Sequence, residues 1–313
     1  MKKELLNKEF IEGRLYQHNL ELKTVKNEQS SNFGKEFISG TIDIATDEEG
    51  LNVIPVHYTY VTETTKGGNT NSTFTILKNI IQGARTWLTD GKDVALKVRC
   101  NPALALNDFY NNNDELVSVK KNEGGFVSTV KDLVPEPERS RFDCDMVITS
   151  VTRVEPEDGS EDYVKIKGAV FDFRKALLPV EFVCRHEPEG GMEYFESLDA
   201  SPSNPIFTRV KGDIVNNTIT TEIEEASAFG AASVRTVTRN AREWRVTWAN
   251  PVEYDFGEDD TLTAEELKQA MQDRQVYLAN LKKNREDYLA SKATKASNEV
   301  KNAMNVPEGG FDF

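Results

Sequence analysis

The sequence predicts a mainly β fold with a smaller α component (α+β): two small β-barrel units in tandem, then a C-terminal helix and a short mobile tail. Three observations carry that prediction. Segments in which apolar and polar residues alternate, the period of a half-buried strand, recur as far as Trp248. Before residue 130 a single stretch, Thr73 to Leu88, has the three- and four-residue apolar spacing of a helix. From Thr263 to about Asn302 the chain is rich in Ala, Lys and Gln with a thin apolar stripe, as in a surface helix.

Met1 to Ile11 reads as a polar lead, and Arg14 to Leu22 as the first strand. Phe33 to Ile44 and Asn52 to Val61 supply two more. Gly67-Gly68-Asn69 breaks the chain before the helix, whose apolar set is Phe74, Ile76, Leu77, Ile80, Ile81, Ala84 and Trp87. Val94 to Cys100 and Glu115 to Lys120 are the last strands of this unit. Three strands, a helix and two strands is the order of the OB-fold, a five-stranded Greek-key barrel with its helix between the third and fourth strands. The first OB-like domain is therefore expected over 1–130.

Lys131 to Arg141 (KDLVPEPERSR), with two Pro among charges, reads as a linker. The same order then recurs without residue-level repetition in a second, elaborated OB-like domain, 142–256. Phe142 to Val154, Tyr163 to Phe173 and Leu177 to Cys184 are its first strands, Met192 to Leu198 a short helix, and Ile206 to Val215 the fourth strand. Ile219 to Glu224, Ser233 to Thr238 and Glu243 to Trp248 read as extra strands. Residues 257–313 hold an acidic segment, the helix, opened by the capping-box-like Thr263-Ala264-Glu265-Glu266, and the tail.

Composition narrows the class. Sixteen Phe and nine Tyr are too many for a disordered acidic chain. No apolar run has the length of a membrane span, and Met1-Lys2-Lys3-Glu4 leads into no signal-type core, so a cytoplasmic location is expected. Three widely spaced Cys fit a reducing compartment. Phosphate-cradling Gly-rich loops and nucleophile elbows are missing, so catalysis and a cofactor are not expected. Cys184-Arg185-His186 places two metal-ligating types together without the third and fourth a site needs; a buried Cys beside a surface His is the plainer reading.

The informative signal is how charge is spread over strand faces. In Tyr163 to Phe173, Val164, Ile166 and Val170 form an aliphatic core face, while Tyr163, Lys165, Lys167, Phe171 and Phe173 share the opposite one. Rings to stack bases and cations to track phosphates are what a sequence-tolerant single-strand binder requires. Phe171 and Phe173 equally suit a second core layer. In the first unit Lys97 and Arg99 lie opposite a core face, Phe37 lies opposite Ile38 and Ile42, and Tyr16 shares a face with Arg14 and His18. The densest basic segment, RTVTRNAREWR, holds Arg235, Arg239, Arg242 and Arg245 against one acid, a backbone-tracking edge in a chain that otherwise favours acid. Trp244 and Trp248 share a face with Val246, as core or as stacking residues.

These features resemble the single-stranded-DNA-binding proteins of tailed bacteriophages, of the OB-fold replication and recombination type. The resemblance rests on the strand–helix–strand order, on Ile206 to Trp248 with its FTRVKGDIV, EEASAFGAASV and REWRVTW segments, and on the terminal Phe311-Asp312-Phe313. It implies non-catalytic single-stranded DNA binding in the cytoplasm of an infected bacterium. It further implies that Phe311, Asp312 and Phe313 dock on replication or recombination proteins, although the acidic cluster Glu258 to Asp260 lies far upstream of them. The alternative is a virion structural or assembly protein built on a tail, baseplate or capsid-associated β-barrel. The formal charge of −14, from 38 Lys and Arg against 52 Asp and Glu, then requires acid kept on loops and outer faces, away from the basic strands. The tail does not hold it, since residues 258–313 have eleven acids and eight bases.

Overall fold

The computed structural model describes residues 5–65, 67–157, 160–225, 233–251 and 262–304, with backbone alone over 218–225, 233–240 and 293–304. The fold is mainly β with a long C-terminal helix. By contacts the chain divides into one unit of Met1–Leu106 with Lys120–Ala264 and another of Asn107–Val119 with Glu265–Phe313.

In the larger unit the strand pairings close two rings. The first contains β1 (Asn7–His18), β3 (Glu36–Ala45), β4 (Val53–Thr62), β5 (Lys97–Tyr110) and β6 (Leu116–Thr129), with β2 (Glu21–Thr24) at the edge of β3. β1 pairs with β3, β3 with β4, β4 with β6 in parallel, β6 with β5, and β5 back with β1. The second contains β7 (Ser140–Val154), β8 (Tyr163–Phe171), β9 (Leu177–Cys184), β10 (Ile206–Glu225) and β11 (Ser233–Ala249). It repeats the circuit, including one parallel pairing, here β9 with β11. The helix between third and fourth strands is α1 (Ser72–Ile81) in the first ring and α3 (Gly191–Glu196) in the second. Both rings thus have the OB-like order.

Each ring is lined by one parity of its strands. Ile11, Leu15, Ile42, Ile44 and Val56 fill the first, closed by Phe74, Leu77 and Ile80 of α1. Val164, Ile166, Phe182, Val210 and Val246 fill the second, closed by Met192 and Phe195 of α3. α1 starts where Asn71 accepts from the Thr73 amide at 3.1 Å. The predicted helix does not run through to Leu88. It ends at Gln82, Gly83 turns the chain at φ 124°, and α2 (Trp87–Asp90) restarts behind a Thr86 cap.

The rings are joined by β1, which pairs with β7 from Asn7↔Cys144 to Ile11↔Ser140. This strand begins within the predicted polar lead, because Glu9 and Glu12, charged in sequence, are buried in place. Glu12 accepts from Arg99 Nε at 2.5 Å and the Val134 amide at 2.6 Å; Glu9 Oε1 accepts from Trp244 Nε1 at 2.9 Å. Asn52 bridges the rings, donating to the Ile214 carbonyl at 3.3 Å and accepting from the Asn216 amide at 2.7 Å. The stretch 131–141 is folded against both: Arg139 is buried and donates to Glu48 Oε1 at 2.7 Å, while Ser140 donates to the Ile214 carbonyl at 2.6 Å. Arg14, Lys92 and Arg139 surround Glu48 and hold its carboxyl down at about 2.

Of the expected extra strands, Ile219 to Glu224 continues β10, while Ser233 to Thr238 and Glu243 to Trp248 are one strand, β11. The two form a hairpin registered from Val210↔Ala249 to Glu225↔Ser233.

In the smaller unit the β5–β6 hairpin tip, 107–119, is clamped by α4 (Ala264–Met304). Arg274 grips Asp108 with two hydrogen bonds of 2.6 Å, and Arg285 donates to the Tyr110 and Asn111 carbonyls and pairs with Asp114 at 3.1 Å. Burial works against the Asp108 charge, yet the Arg274 and Ser118 hydrogen bonds hold its carboxyl below the usual range.

Candidate nucleic-acid interface

Strand alternation on β8 turns Val164 and Ile166 inward and Tyr163, Lys165 and Lys167 outward. Antiparallel register sets Lys167 opposite Glu181 and Lys165 opposite Val183 on β9, and the parallel pairing brings Arg245 of β11 beside Val183. Arg185, just past β9, lies over the Tyr163 ring with its guanidinium carbon 4.5 Å from the centroid. Three adjacent strands therefore present one outward face on which a tyrosine, two lysines and two arginines meet.

Two carboxylates organise these cations. Glu181 pairs with Lys165 at 3.4 Å and Lys167 at 3.9 Å. Glu243 is bonded by Arg185, whose Nε lies 3.3 Å from Oε2, and by Arg245 at 3.2 Å. Burial opposes ionisation of Glu243, but the hydrogen bonds and charges of Arg185 and Arg245 keep its carboxyl below the ordinary range. The expectation that acid avoids the basic strands is corrected here, because an unpaired cluster of four cations at such spacing repels itself.

One cation of the first ring reaches the second. Lys120 of β6 donates to the Glu181 carbonyl at 2.5 Å and lies 4.6 Å from the Trp244 ring centroid. Burial pulls its ammonium down to about 8, against the opposing pull of Glu181 and Glu243. His57, held by Thr41 at 2.9 Å, titrates below its usual value through burial and the nearby positive charge of Lys121 and Arg242, which Glu123 and Asp43 oppose.

The remaining predicted residues fall elsewhere or are engaged. Phe171 is 0% exposed and belongs to the core, because both faces of β8 are covered at its end; its ring has no side open to a base. Phe173 lies beyond the strand, 88% exposed in the β8–β9 turn. Arg242 is exposed and donates to Asn216 Oδ1 at 3.1 Å. Arg235 and Arg239 occupy the far part of the hairpin, opposite Ile223 and Ile219. Lys97 donates to the Lys131 carbonyl at 3.1 Å, and Arg99 is committed to Glu12 and the Phe10 ring. Tyr16 packs on Trp87 at 6.2 Å, and Phe37 on Tyr60 at 4.6 Å. Trp244 is buried, whereas Trp248 is half-exposed with Lys211 4.9 Å from its ring. Phe311, Asp312 and Phe313 lie outside the described residues.

Arg185, Lys120, Glu181 and Glu243 enter the site without having been singled out for it. Arg185 sits in the Cys-Arg-His triplet, where the eye goes to the metal-ligating types. In place Cys184 is buried, with its thiol pushed up to about 11, and His186 bonds Asp162 at 2.6 Å. Among the described residues no group of three or more His, Cys, Asp or Glu is arranged to hold a metal, and no helix is long and apolar enough to cross a membrane.

Among solved structures the chain is similar to a deletion mutant of the single-stranded DNA binding protein from Thermus aquaticus, at 12% identity and a TM-score of 0.46, covering 82% of this chain and 99% of that one. It is also similar to a chain of a replication protein A heterotrimer bound to single-stranded DNA, at 10% identity and a TM-score of 0.21, covering 75% and 49%. No curated protein matches it in sequence. A family model does match, over residues 6–284, which takes in both rings and the hairpin clamped by α4: the chain belongs to the YorF family.

Proposed function

We propose that this protein binds single-stranded DNA without catalysis, as a coating protein in phage DNA replication or recombination. The observation that carries the reading is the outward face on which Tyr163, capped by Arg185, stands among Lys165, Lys167 and Arg245. A base stacks on the exposed side of such a ring, a contribution of about 1–3 kcal/mol, and the cations follow the phosphates on either side. Arg185 and Arg245 suit this role because a guanidinium both stacks and bonds phosphate in bidentate fashion.

Each cation leaves a carboxylate when it takes a phosphate, so the electrostatic gain per contact is reduced. A duplex, which hides its base faces, offers only that reduced term. Single strands add stacking and are therefore preferred.

The test is an anisotropy titration with labelled oligo-dT of about 30 nucleotides at two salt concentrations. Binding is expected to weaken with salt, with a log–log slope of about −0.7 per phosphate neutralised. Replacing Lys165 and Lys167 together by Ala should lower that slope and weaken binding at least about tenfold at low salt. No binding of the parent protein at low salt would sink the reading.

A further inference from the structure

We propose that the β8–β9 turn is a wedge that stacks on the end of a duplex where it meets a single strand, and opens the terminal base pair. The inference rests on the single-strand reading above and adds a second activity to it.

Phe173 is the most exposed large apolar side chain among the described residues. A flexible loop lets such a ring fold back on the surface, but this turn is fixed. The Asp172 carboxylate accepts from the Arg174 and Ala176 amides, both at 2.8 Å. The Asp172 amide donates to the Ala176 carbonyl at 3.0 Å, and the Lys175 amide donates to the Asp172 carbonyl at 2.9 Å. Lys175 holds a left-handed φ of 63°, which a non-glycine residue adopts only where the surroundings impose it. On both sides the turn is anchored by buried residues, Phe171 and Leu177.

The ring is dressed on one side only. Arg174 lies with its guanidinium carbon 5.0 Å from the Phe173 centroid, leaving an exposed aromatic surface beside a fixed cation. Tyr163 sits on the strand face, where a base lies down on the sheet. Phe173 stands off the end of that sheet, so a base reaches it only by stacking end-on. Apolar side chains held rigidly in this way unstack base steps, and a neighbouring cation neutralises the phosphate of the displaced nucleotide.

Magnitude decides where the wedge acts. Stacking on one ring returns less than unstacking an internal duplex step consumes, so a single Phe does not open the middle of a duplex. At a junction the terminal pair is already frayed on one side, and there the exchange balances. The activity is thus passive strand separation at single–double strand junctions, with no bond made or broken.

The experiment uses the full chain and a short duplex with a single-stranded dT arm, with 2-aminopurine at the junction pair. The parent protein is expected to raise the 2-aminopurine signal. Phe173→Ala should reduce that rise at least about fivefold while keeping oligo-dT affinity within about twofold, and Phe173→Trp should retain it. Oligo-dT binding without any rise, or an equal rise with Phe173→Ala, overturns the wedge and leaves the single-strand reading standing. Failure of the parent protein to bind oligo-dT overturns both.

Discussion

If the proposed face binds phosphates, Glu181 competes with them, because its carboxylate already pairs with both Lys165 and Lys167. All three groups are partly solvent-exposed, so the pairing is screened and worth little to stability. Its consequence lies in competition with a ligand anion. Glu181→Gln is expected to tighten oligo-dT binding about threefold at low salt and to steepen the salt dependence, read by the same anisotropy titration. Weaker binding by the variant would mean that Glu181 orients the lysines rather than competing with the phosphate. Glu9 makes a different point at this scale. Burial raises its carboxyl to about 8, only partly offset by the Trp244 hydrogen bond, and Oε2 has no partner among the described residues. The folded state keeps a proton that the unfolded chain has released above about 4.5, so stability falls as pH rises from there through about 8. Glu9→Gln should match the parent in thermal unfolding near pH 4 and exceed it by several degrees near pH 8.5. Parallel curves would show that Glu9 does not titrate on unfolding. The same residue explains an error of sequence reading: a glutamate at a buried position breaks the apolar alternation that marks a strand, and β1 loses its first half in the reading.

At the level of elements, local pattern and non-local packing divide what is legible. β9 is read with its observed ends and β4 to within a residue, because both are short and bounded by turn residues. β10 and β11 are fragmented in the reading, since polar residues such as Asn216, Asn217 and Thr218 interrupt the alternation. Their continuity comes from pairing with each other, which no local window contains. Gly212 bears on this hairpin directly. It sits at a register shift, and a Cβ there would lie 1.9 Å from the Arg245 carbonyl oxygen and 2.9 Å from the Phe142 ring. Gly212→Ala must push β10 away from β11, at an expected cost of about 2 kcal/mol or more in chemical denaturation. The same shift displaces Arg245, so oligo-dT binding should fall together with stability.

Across the whole molecule, the twice-repeated order of three strands, a helix and two strands is visible in sequence because each ring closes within consecutive chain. The candidate site is only half visible. Tyr163, Lys165 and Lys167 declare themselves by alternation on one strand, whereas Arg185, Arg245 and Lys120 reach them through pairings and ring contacts between segments tens to more than a hundred residues apart. The net charge of −14 likewise hides its arrangement: acid is interleaved with base on the candidate face instead of being banished from it.

The bridging of the two rings by β1, Asn52 and the folded stretch around Arg139 carries one more consequence. Two modules on a flexible tether sample many separations, and a strand bound by one meets the other at an effective concentration set by the tether. Here that distribution collapses to a single value. On the single-strand reading proposed above, a DNA long enough to run from one ring to the other would meet a ruler rather than a leash: the expected occupied length per protein is one fixed number of nucleotides, and a strand shorter than that gains nothing from the second ring.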